Sequence, residues 1–342
     1  MIYGVSYKGS KNKIAQWVLD NLPPAENFYD LFAGGCAVTH AALLSGKYEH
    51  FHANDIDIAP QLFYDAIHGK YKNETRWISR EDFDRLKDKD AYVRYCWSFG
   101  NNGKDYLYSK DVEDYKKALH EAIFFRDYER GKKYGFDFSA IDSVKGVKER
   151  RLALRTHVFK VMTDKGLLEK RGSHFYFKNG EGWKNIESLG SLQRLQRLQN
   201  LESLQSLQSL LSLGRLQSLQ SLQSLQISQK DYRKIEIKEN SVIYCDIPYR
   251  DTNKYISQKK SSFDYEAFYK WCEKQTEPVI ISEYYMPSDR FEIFASIEKR
   301  QTLNGLGSGK IVKENLYCTK KQAAMIREKL KGSEIQLELF SA

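Results

Sequence analysis

The chain has 342 residues, in which 54 lysines and arginines outnumber 45 aspartates and glutamates and give a formal net charge of +9. This length allows one large domain or two ordinary ones, and the basic balance with 23 tyrosines is compatible with a nucleic-acid partner. No stretch approaches the roughly 18 apolar residues of a membrane span and no signal peptide is apparent, so we expect a cytoplasmic protein without a membrane partner.

The cysteines do not form a recognisable framework. Cys36, Cys96, Cys245, Cys272 and Cys318 are odd in number and lack CxxC spacing. We therefore expect neither a disulfide framework nor a metal site.

The N-terminal segment predicts a turn followed by a helix. Gly9-Ser10-Lys11 precedes apolar residues at helical spacing, which end before Pro23-Pro24. A lysine in a small-residue turn at a helix N-terminus can hold an anion or a carboxylate. An ordinary surface turn is the alternative.

Residues 28–44 predict a strand, a glycine turn and a helix. In such a unit, Gly34-Gly35 lets the backbone approach a ligand at the helix N-terminus. The turn does not match G-x-G-x-x-G, so dinucleotide binding is not favoured. A second strand then ends in Asn54-Asp55-Ile56, where Asp55 lies 20 positions after Gly35. At this separation an acid can bridge ribose hydroxyls, whereas Asp57 is compatible with a solvated turn.

Residues 73–185 are predicted to form a mainly helical, charged and aromatic insertion that carries partner contacts, interrupted by a polar loop at residues 97–103. A solvated helical subdomain is the alternative for any single arginine. The basic residues of the insertion include Arg94, Arg126, Arg130, Lys132, Lys133, Arg150, Arg151 and Arg155.

Residues 186–225 form a tract in which leucine recurs at every third position. A step of three lags one α-helical turn by about 60°, so the leucines of one helix would spread over all its faces, and in a strand they would alternate faces. A 3₁₀ helix would align them, but long ones are uncommon. Three interpretations of the tract therefore remain: a small solenoid, several short pieces packed on one another, or an oligomerisation module.

Residues 242–249 predict a buried strand that ends in Asp246-Ile247-Pro248-Tyr249. Asp246 and the Ile247 carbonyl can both accept a hydrogen bond from an exocyclic aromatic amine, which directs the nitrogen lone pair at an electrophile. Tyr249 can stack on the ring. A strand followed by a proline turn is the alternative. Beyond it, the pattern predicts a helix at 264–276, strands at 278–282 and 292–303, a hairpin tip at 305–310 and a basic helix at 319–331.

These motifs, in this order, resemble the DNA adenine-N6 methyltransferases of the Dam type. The resemblance covers roughly residues 1–70 and 225–285. It implies an α/β fold, in which residues 1–72 and 226–342 form a Rossmann-like methyltransferase sheet. Residues 73–185 would be an inserted, mainly helical target-recognition region, and residues 186–225 a separate leucine-repeat tract.

The resemblance also implies S-adenosylmethionine as cofactor and double-stranded DNA as partner, with no metal and with a monomer favoured. The target adenine would be flipped out of the duplex. The implied catalytic residues are Asp246, Ile247, Pro248 and Tyr249. The implied cofactor-binding residues are Tyr7, Lys11, Asp30, Phe32, Gly34, Gly35, Asp55, Ile56 and Asp246.

Two positions depart from the family pattern. Ser10 replaces a usual glycine, and Ile247 replaces the first proline of D-P-P-Y. Isoleucine keeps the carbonyl acceptor but gives up the fixed φ of proline. Because of Ile247 and the leucine tract, a non-catalytic DNA-binding protein is kept as an alternative. Cytosine-N4 methylation is another, because D-x-P-Y fits any exocyclic aromatic amine.

Overall fold

A computed structural model describes residues 2–134, 137–164, 166, 168–171, 174–179, 182–185, 209–210, 212–213, 216, 224–249, 263–300 and 311–331. The chain divides into two compact units. One, the sheet unit, comprises Met1–Gly69 and Leu216–Ala342, and the other, the helical unit, comprises Lys70–Arg215.

The sheet unit is a mixed α/β structure with a seven-stranded sheet. Its strands are β1 (Asn27–Asp30), β2 (His50–Asp55), β6 (Leu225–Gln229), β7 (Ser241–Cys245), β8 (Val279–Glu283), β9 (Phe291–Arg300) and β10 (Ile311–Thr319). Its helices are α1 (Ala15–Asp20), α2 (Ala37–Ser45), α3 (Ala59–Ile67), α9 (Tyr265–Lys274) and α10 (323–331).

The strands lie in the order β6-β2-β1-β7-β8-β10-β9. From β6 to β8 all neighbours are parallel, whereas β10 is antiparallel to both β8 and β9. This mostly parallel sheet confirms the predicted Rossmann-like class. Because β1 lies between β2 and β7, the chain order reverses there, and such a reversal opens a crevice at the carboxyl ends of the strands.

The central strands are buried along their whole length. Every residue of β1, β7 and β8 is buried, as expected for parallel strands covered on both faces. One face carries an apolar cluster in which Ile243, Cys245 and Ile281 meet Phe268 and Cys272 of α9. Asp264 caps α9 by accepting a hydrogen bond from the Ala267 N–H at 2.9 Å.

The helical unit contains helices followed by a small sheet. The helices are α4 (Arg80–Leu86), α5 (Ala91–Cys96), α6 (Lys110–Phe125), α7 (Glu129–Lys132) and α8 (Val147–Asp164). The antiparallel strands β3 (Leu168–Arg171), β4 (His174–Asn179) and β5 (Gly182–Asn185) follow. The helical pattern did not predict these strands, although the β4 sequence His-Phe-Tyr-Phe-Lys-Asn is rich in residues that favour strands.

The predicted loop at 97–103 does interrupt the helices, between α5 and α6, but its first residue is not polar and exposed. Trp97 is fully buried, with its ring 5.0 Å from Trp77 in an edge-to-face arrangement. The apolar burial of this indole outweighs the polar character of the residues after it. Phe99–Asn101 then forms one turn of 3₁₀ helix.

Most of the leucine tract, residues 250–262 and residues 301–310, which include the predicted hairpin tip, lie outside the described residues. Of the tract, Leu213 and Leu216 are buried. Leu225 is the first residue of β6 and pairs with Phe51 of β2. The last repeat position is therefore part of the sheet. No helix in the described part of the chain is both long and apolar enough to cross a membrane.

Candidate active site

Carboxylates end the neighbouring strands at one edge of the sheet. Asp30 closes β1, Asp55 closes β2, Glu283 closes β8, and Asp246 directly follows β7. The register pairs Asp30 with Ala53 on one side and with Tyr244 on the other. Because the strands are parallel, these acids share the edge at which open α/β sheets bind ligands.

Asp55 holds the glycine turn. Its Oδ2 accepts a hydrogen bond from the Gly34 N–H at 2.8 Å, and its Oδ1 accepts one from the Asp57 N–H at 2.9 Å. Burial raises the pKa of Asp55 to about 6, although these backbone donors act in the opposite direction. The carboxylate therefore titrates close to neutral pH.

The turn has no room for side chains. A Cβ on Gly34, where φ is +47°, would lie 2.9 Å from the Tyr7 ring, and one on Gly35 would lie 2.9 Å from the Val5 carbonyl oxygen. The Val5 N–H donates to the Gly35 carbonyl at 2.8 Å. The glycines thus allow the N-terminal segment to lie against the turn.

A histidine outside the predicted set fixes this segment. The Gly4 N–H donates to Nδ1 of His40 at 2.9 Å, and burial lowers the pKa of His40 to about 4. The neutral ring can accept at Nδ1. Because His40 lies on α2, it ties the segment that leads to Tyr7 and Lys11 to the helix after the glycine turn.

Asp30 is buried beside the same turn. Its Oδ2 accepts a hydrogen bond from the Thr39 hydroxyl at 2.7 Å, while its Oδ1 has no hydrogen-bond partner among the described residues. Burial raises the pKa of Asp30 to about 7 despite the bond from Thr39. A buried oxygen without a donor is available to a ligand at this edge.

Lys11 joins the N-terminal segment to the residues after β7. Its ammonium lies 2.7 Å from Oδ1 of Asp246 and 3.7 Å from Oε1 of Glu314. It also lies 4.6 Å from the centre of the Tyr249 ring. Burial disfavours the ammonium, but Asp246 and Glu314 outweigh it and raise the pKa of Lys11. Lys11 is therefore charged.

Ile247, which stands where D-P-P-Y has its first proline, is held by packing. Its side chain is 2% exposed and belongs to the apolar cluster with Cys245 and Phe268. The following Pro248 is exposed, and its carbonyl accepts a hydrogen bond from the Tyr265 hydroxyl at 2.7 Å. Packing of the isoleucine and this hydrogen bond restrain the backbone where the family pattern uses a proline ring.

Tyr249 is held from several sides. Its hydroxyl donates to Glu314 on β10, and its ring centre lies 4.4 Å from that of Tyr284. Burial and the nearby acids, Asp246 first, raise the pKa of Tyr249 far above its ordinary value. The hydroxyl therefore keeps its proton and acts as a donor.

Two acids at the site were missed in the sequence. Glu314 lies inside β10 and is fully buried. Glu283 is also buried, with Oε1 accepting from the Tyr284 N–H at 2.8 Å and Oε2 without a partner among the described residues. Burial raises the pKa of Glu283 to about 8. The sequence signals were weak: Glu283 ends the apolar run of β8, and Glu314 stands between Lys313 and Asn315 in β10.

The other residues predicted to bind the cofactor lie near the glycine turn but do not all contact one another. Ile56 is 72% exposed, directly after Asp55. Phe32 is half-buried, with its ring 5.3 Å from that of Tyr232 and 5.7 Å from that of Phe263. Tyr7 lies over the glycine turn. The structure thus brings Lys11 and Asp246 into direct contact, and leaves Phe32 packed mainly on other aromatic rings.

Several of the basic residues predicted to carry partner contacts are engaged within the helical unit. Arg94 lies 2.8 Å from Asp88, Arg130 bonds Glu121 at 2.8 Å, and Arg150 is buried. On α8, burial and the adjacent Arg155 lower the pKa of Arg151, since like charges one helical turn apart repel.

One comparison with known proteins found a matching family model. A family model described as D12 class N6 adenine-specific DNA methyltransferase matches residues 7–153. This range includes Tyr7, Lys11, the glycine turn and Asp55, and it continues into α8. No curated protein matches the chain.

Proposed function

Because the family model described as D12 class N6 adenine-specific DNA methyltransferase matches residues 7–153, we propose that the chain transfers the methyl group of S-adenosylmethionine to N6 of a flipped-out adenine in double-stranded DNA. The observation that carries this proposal is the contact of Lys11 with Asp246 at 2.7 Å. This contact joins the N-terminal segment, which lies on the glycine turn, to the turn after β7, whose residues are suited to bind an aromatic amine.

The residues at the edge of the sheet fit such a cofactor. Gly34 and Gly35 let the segment that carries Tyr7 lie directly against the turn, beside Asp55. Asp55 can accept hydrogen bonds from ribose hydroxyls, and the unpaired Oδ1 of Asp30 can accept one from an ammonium. Ile56, with its exposed side chain, can cover one face of a purine.

The charge around Lys11 also suits this cofactor. When bound, S-adenosylmethionine supplies a methyl group on a positively charged sulfur. Lys11 faces two carboxyl groups, those of Asp246 and Glu314, so one negative charge is unbalanced when both are ionised. In a site of low dielectric constant, that excess favours a cation.

Asp246 and Ile247 are suited to hold the target amine. An ionised carboxylate offers only acceptors, and the Lys11 ammonium stabilises that ionised form. Two N6 hydrogens directed at the Asp246 carboxylate and the Ile247 carbonyl leave the nitrogen lone pair facing the methyl group. Tyr249 would stack on the adenine once the base is out of the duplex.

The helical unit is proposed to contact the DNA. Arg151 and Arg155 place two positive charges one turn apart on α8, and phosphate contacts of this kind supply affinity independent of sequence. The proposal gives the helical unit target binding and the sheet unit the chemistry.

The proposal can be tested on DNA from a host that expresses the chain. Enzymatic digestion and nucleoside analysis should detect N6-methyladenine with the wild-type protein and none with Asp246→Ala. Asp289→Ala, in an exposed turn, is the matched control and should methylate as the wild type does. N4-methylcytosine instead of N6-methyladenine, or full activity of Asp246→Ala, would contradict the proposal.

A further inference from the structure

Glu314 is a fully buried acid at the site. It lies on β10, separated by β8 from the strand that leads to Asp246, and its side chain is 0% exposed. Acidic side chains are seldom fully buried unless they are paired. Its partners therefore indicate what the carboxylate does.

A single oxygen of Glu314 gathers three groups. Its Oε1 accepts hydrogen bonds from the Tyr249 hydroxyl and, at 3.0 Å, from the Ser282 hydroxyl on β8. The ammonium of Lys11 lies 3.7 Å from the same oxygen. The carboxylate is thus held by β8 and the N-terminal segment, which leaves it in a fixed position when it binds Tyr249.

This fixed acceptor determines the direction of the Tyr249 ring. The residue lies four positions beyond the end of β7, outside the regular strand. A tyrosine ring is oriented by two side-chain torsions. A hydrogen bond at the far end of the ring restrains both, and bonds to charged acceptors are about twice as strong as those between neutral groups.

We propose that Glu314 is a positioning residue, which holds the Tyr249 ring in the orientation that stacks on the flipped-out target base. The role rests on the proposed function, since it requires a base to stack. Glu314 acts through Tyr249 and does not itself touch the base. A purely structural role, as a buried partner of Lys11, is the competing explanation.

Tyr249→Phe removes the hydrogen bond with the least disturbance. The variant keeps the stacking ring and leaves Glu314 with Ser282 and Lys11. We expect kcat/KM for DNA to fall about 10-fold, as for the loss of one hydrogen bond to a charged group. Emission from 2-aminopurine at the target position should rise, because stacking on an aromatic ring quenches this base and the ring is no longer held against it. Affinity for S-adenosylmethionine, measured by calorimetry, should change less than about twofold, because Lys11 and Asp246 are retained.

Variants of Glu314 complete a double-mutant cycle. Glu314→Ala should lower kcat/KM about as much as Tyr249→Phe, and the double variant should be no worse than Glu314→Ala alone. At saturating S-adenosylmethionine, where any loss of cofactor affinity with the Glu314 charge does not count, Glu314→Gln keeps an acceptor oxygen for the Tyr249 hydroxyl and should recover most of the loss. Glu298→Gln, at an exposed position of β9 paired with Lys313, is the matched control and should behave as the wild type does.

The outcomes separate the inference from the proposed function. If the wild-type protein produces no N6-methyladenine, the proposed function fails and the positioning role fails with it. If the wild type is active but Tyr249→Phe matches it in both kcat/KM and 2-aminopurine emission, the inference alone is overturned. If the fold-loss of kcat/KM in the double variant equals the product of the losses in the two single variants, Glu314 likewise has a purely structural role. If Glu314→Ala does not fold, Tyr249→Phe and Glu314→Gln still test whether Glu314 positions the Tyr249 ring.

Discussion

The affinity for S-adenosylmethionine should depend on pH through Asp55. Under the proposed function the ionised carboxylate accepts hydrogen bonds from the ribose, and protonation removes acceptor capacity. With the pKa of Asp55 at about 6, about nine-tenths of the sites are ionised at pH 7 and about one-tenth at pH 5. If only the ionised form binds, the dissociation constant should rise roughly tenfold from pH 7 to pH 5.

Calorimetric titration at several pH values measures this dependence, with circular dichroism as a check that the chain stays folded at pH 5. Asp55→Asn cannot ionise, so its binding should be weaker at pH 7 and should lose the roughly tenfold part of the pH dependence that Asp55 supplies. Asp30, with a pKa of about 7, also titrates nearby, and Asp30→Asn is therefore the matched control that should keep the Asp55-dependent change. An equal dependence in Asp55→Asn and the wild type would refute the reasoning.

Two further predictions concern Glu283 and the glycine turn. The pKa of Glu283 is about 8 in the folded chain, against an ordinary 4.5. The protonated carboxyl therefore makes its full contribution to the free energy of unfolding below pH 4.5. As pH rises towards 8 this contribution is lost, which lowers the free energy of unfolding by at most about 5 kcal/mol. Glu283→Gln should therefore gain in melting temperature over the wild type between pH 5 and pH 8, and an unchanged difference would contradict this. Gly35→Ala would place a Cβ 2.9 Å from the Val5 carbonyl oxygen. The affinity for the cofactor, measured by calorimetry, should therefore fall at least about tenfold. An affinity equal to that of the wild type would show that the turn tolerates a side chain.

The residues that sequence patterns could place are those whose position follows from one strand and its turn. Asp55 ends a recognisable strand, Gly34 and Asp246 lie in the turns after two others, and parallel strands bring their carboxyl ends to one edge. The Rossmann-like class was predictable for the same reason. The roles given to these residues are still predictions.

The other part of the site depends on strand order and packing, which local patterns do not encode. Glu314 reaches Tyr249 only because β10 inserts between β8 and β9 as an antiparallel strand. The burial of Ile247 in the apolar cluster was likewise invisible, because the sequence shows only the loss of a proline. The strands at 168–185 were missed because the helical pattern of the preceding residues was assumed to continue to residue 185.

The central claim is that the Asp246 turn presents adenine N6 to the methyl group of S-adenosylmethionine. The most direct test is to incubate the purified protein with duplex DNA and methyl-deuterated S-adenosylmethionine, and to analyse the nucleosides by mass spectrometry. The account predicts that the label appears in N6-methyladenine with the wild type and is lost with Asp246→Asn. Label in N4-methylcytosine, or undiminished labelling of adenine by Asp246→Asn, would contradict it.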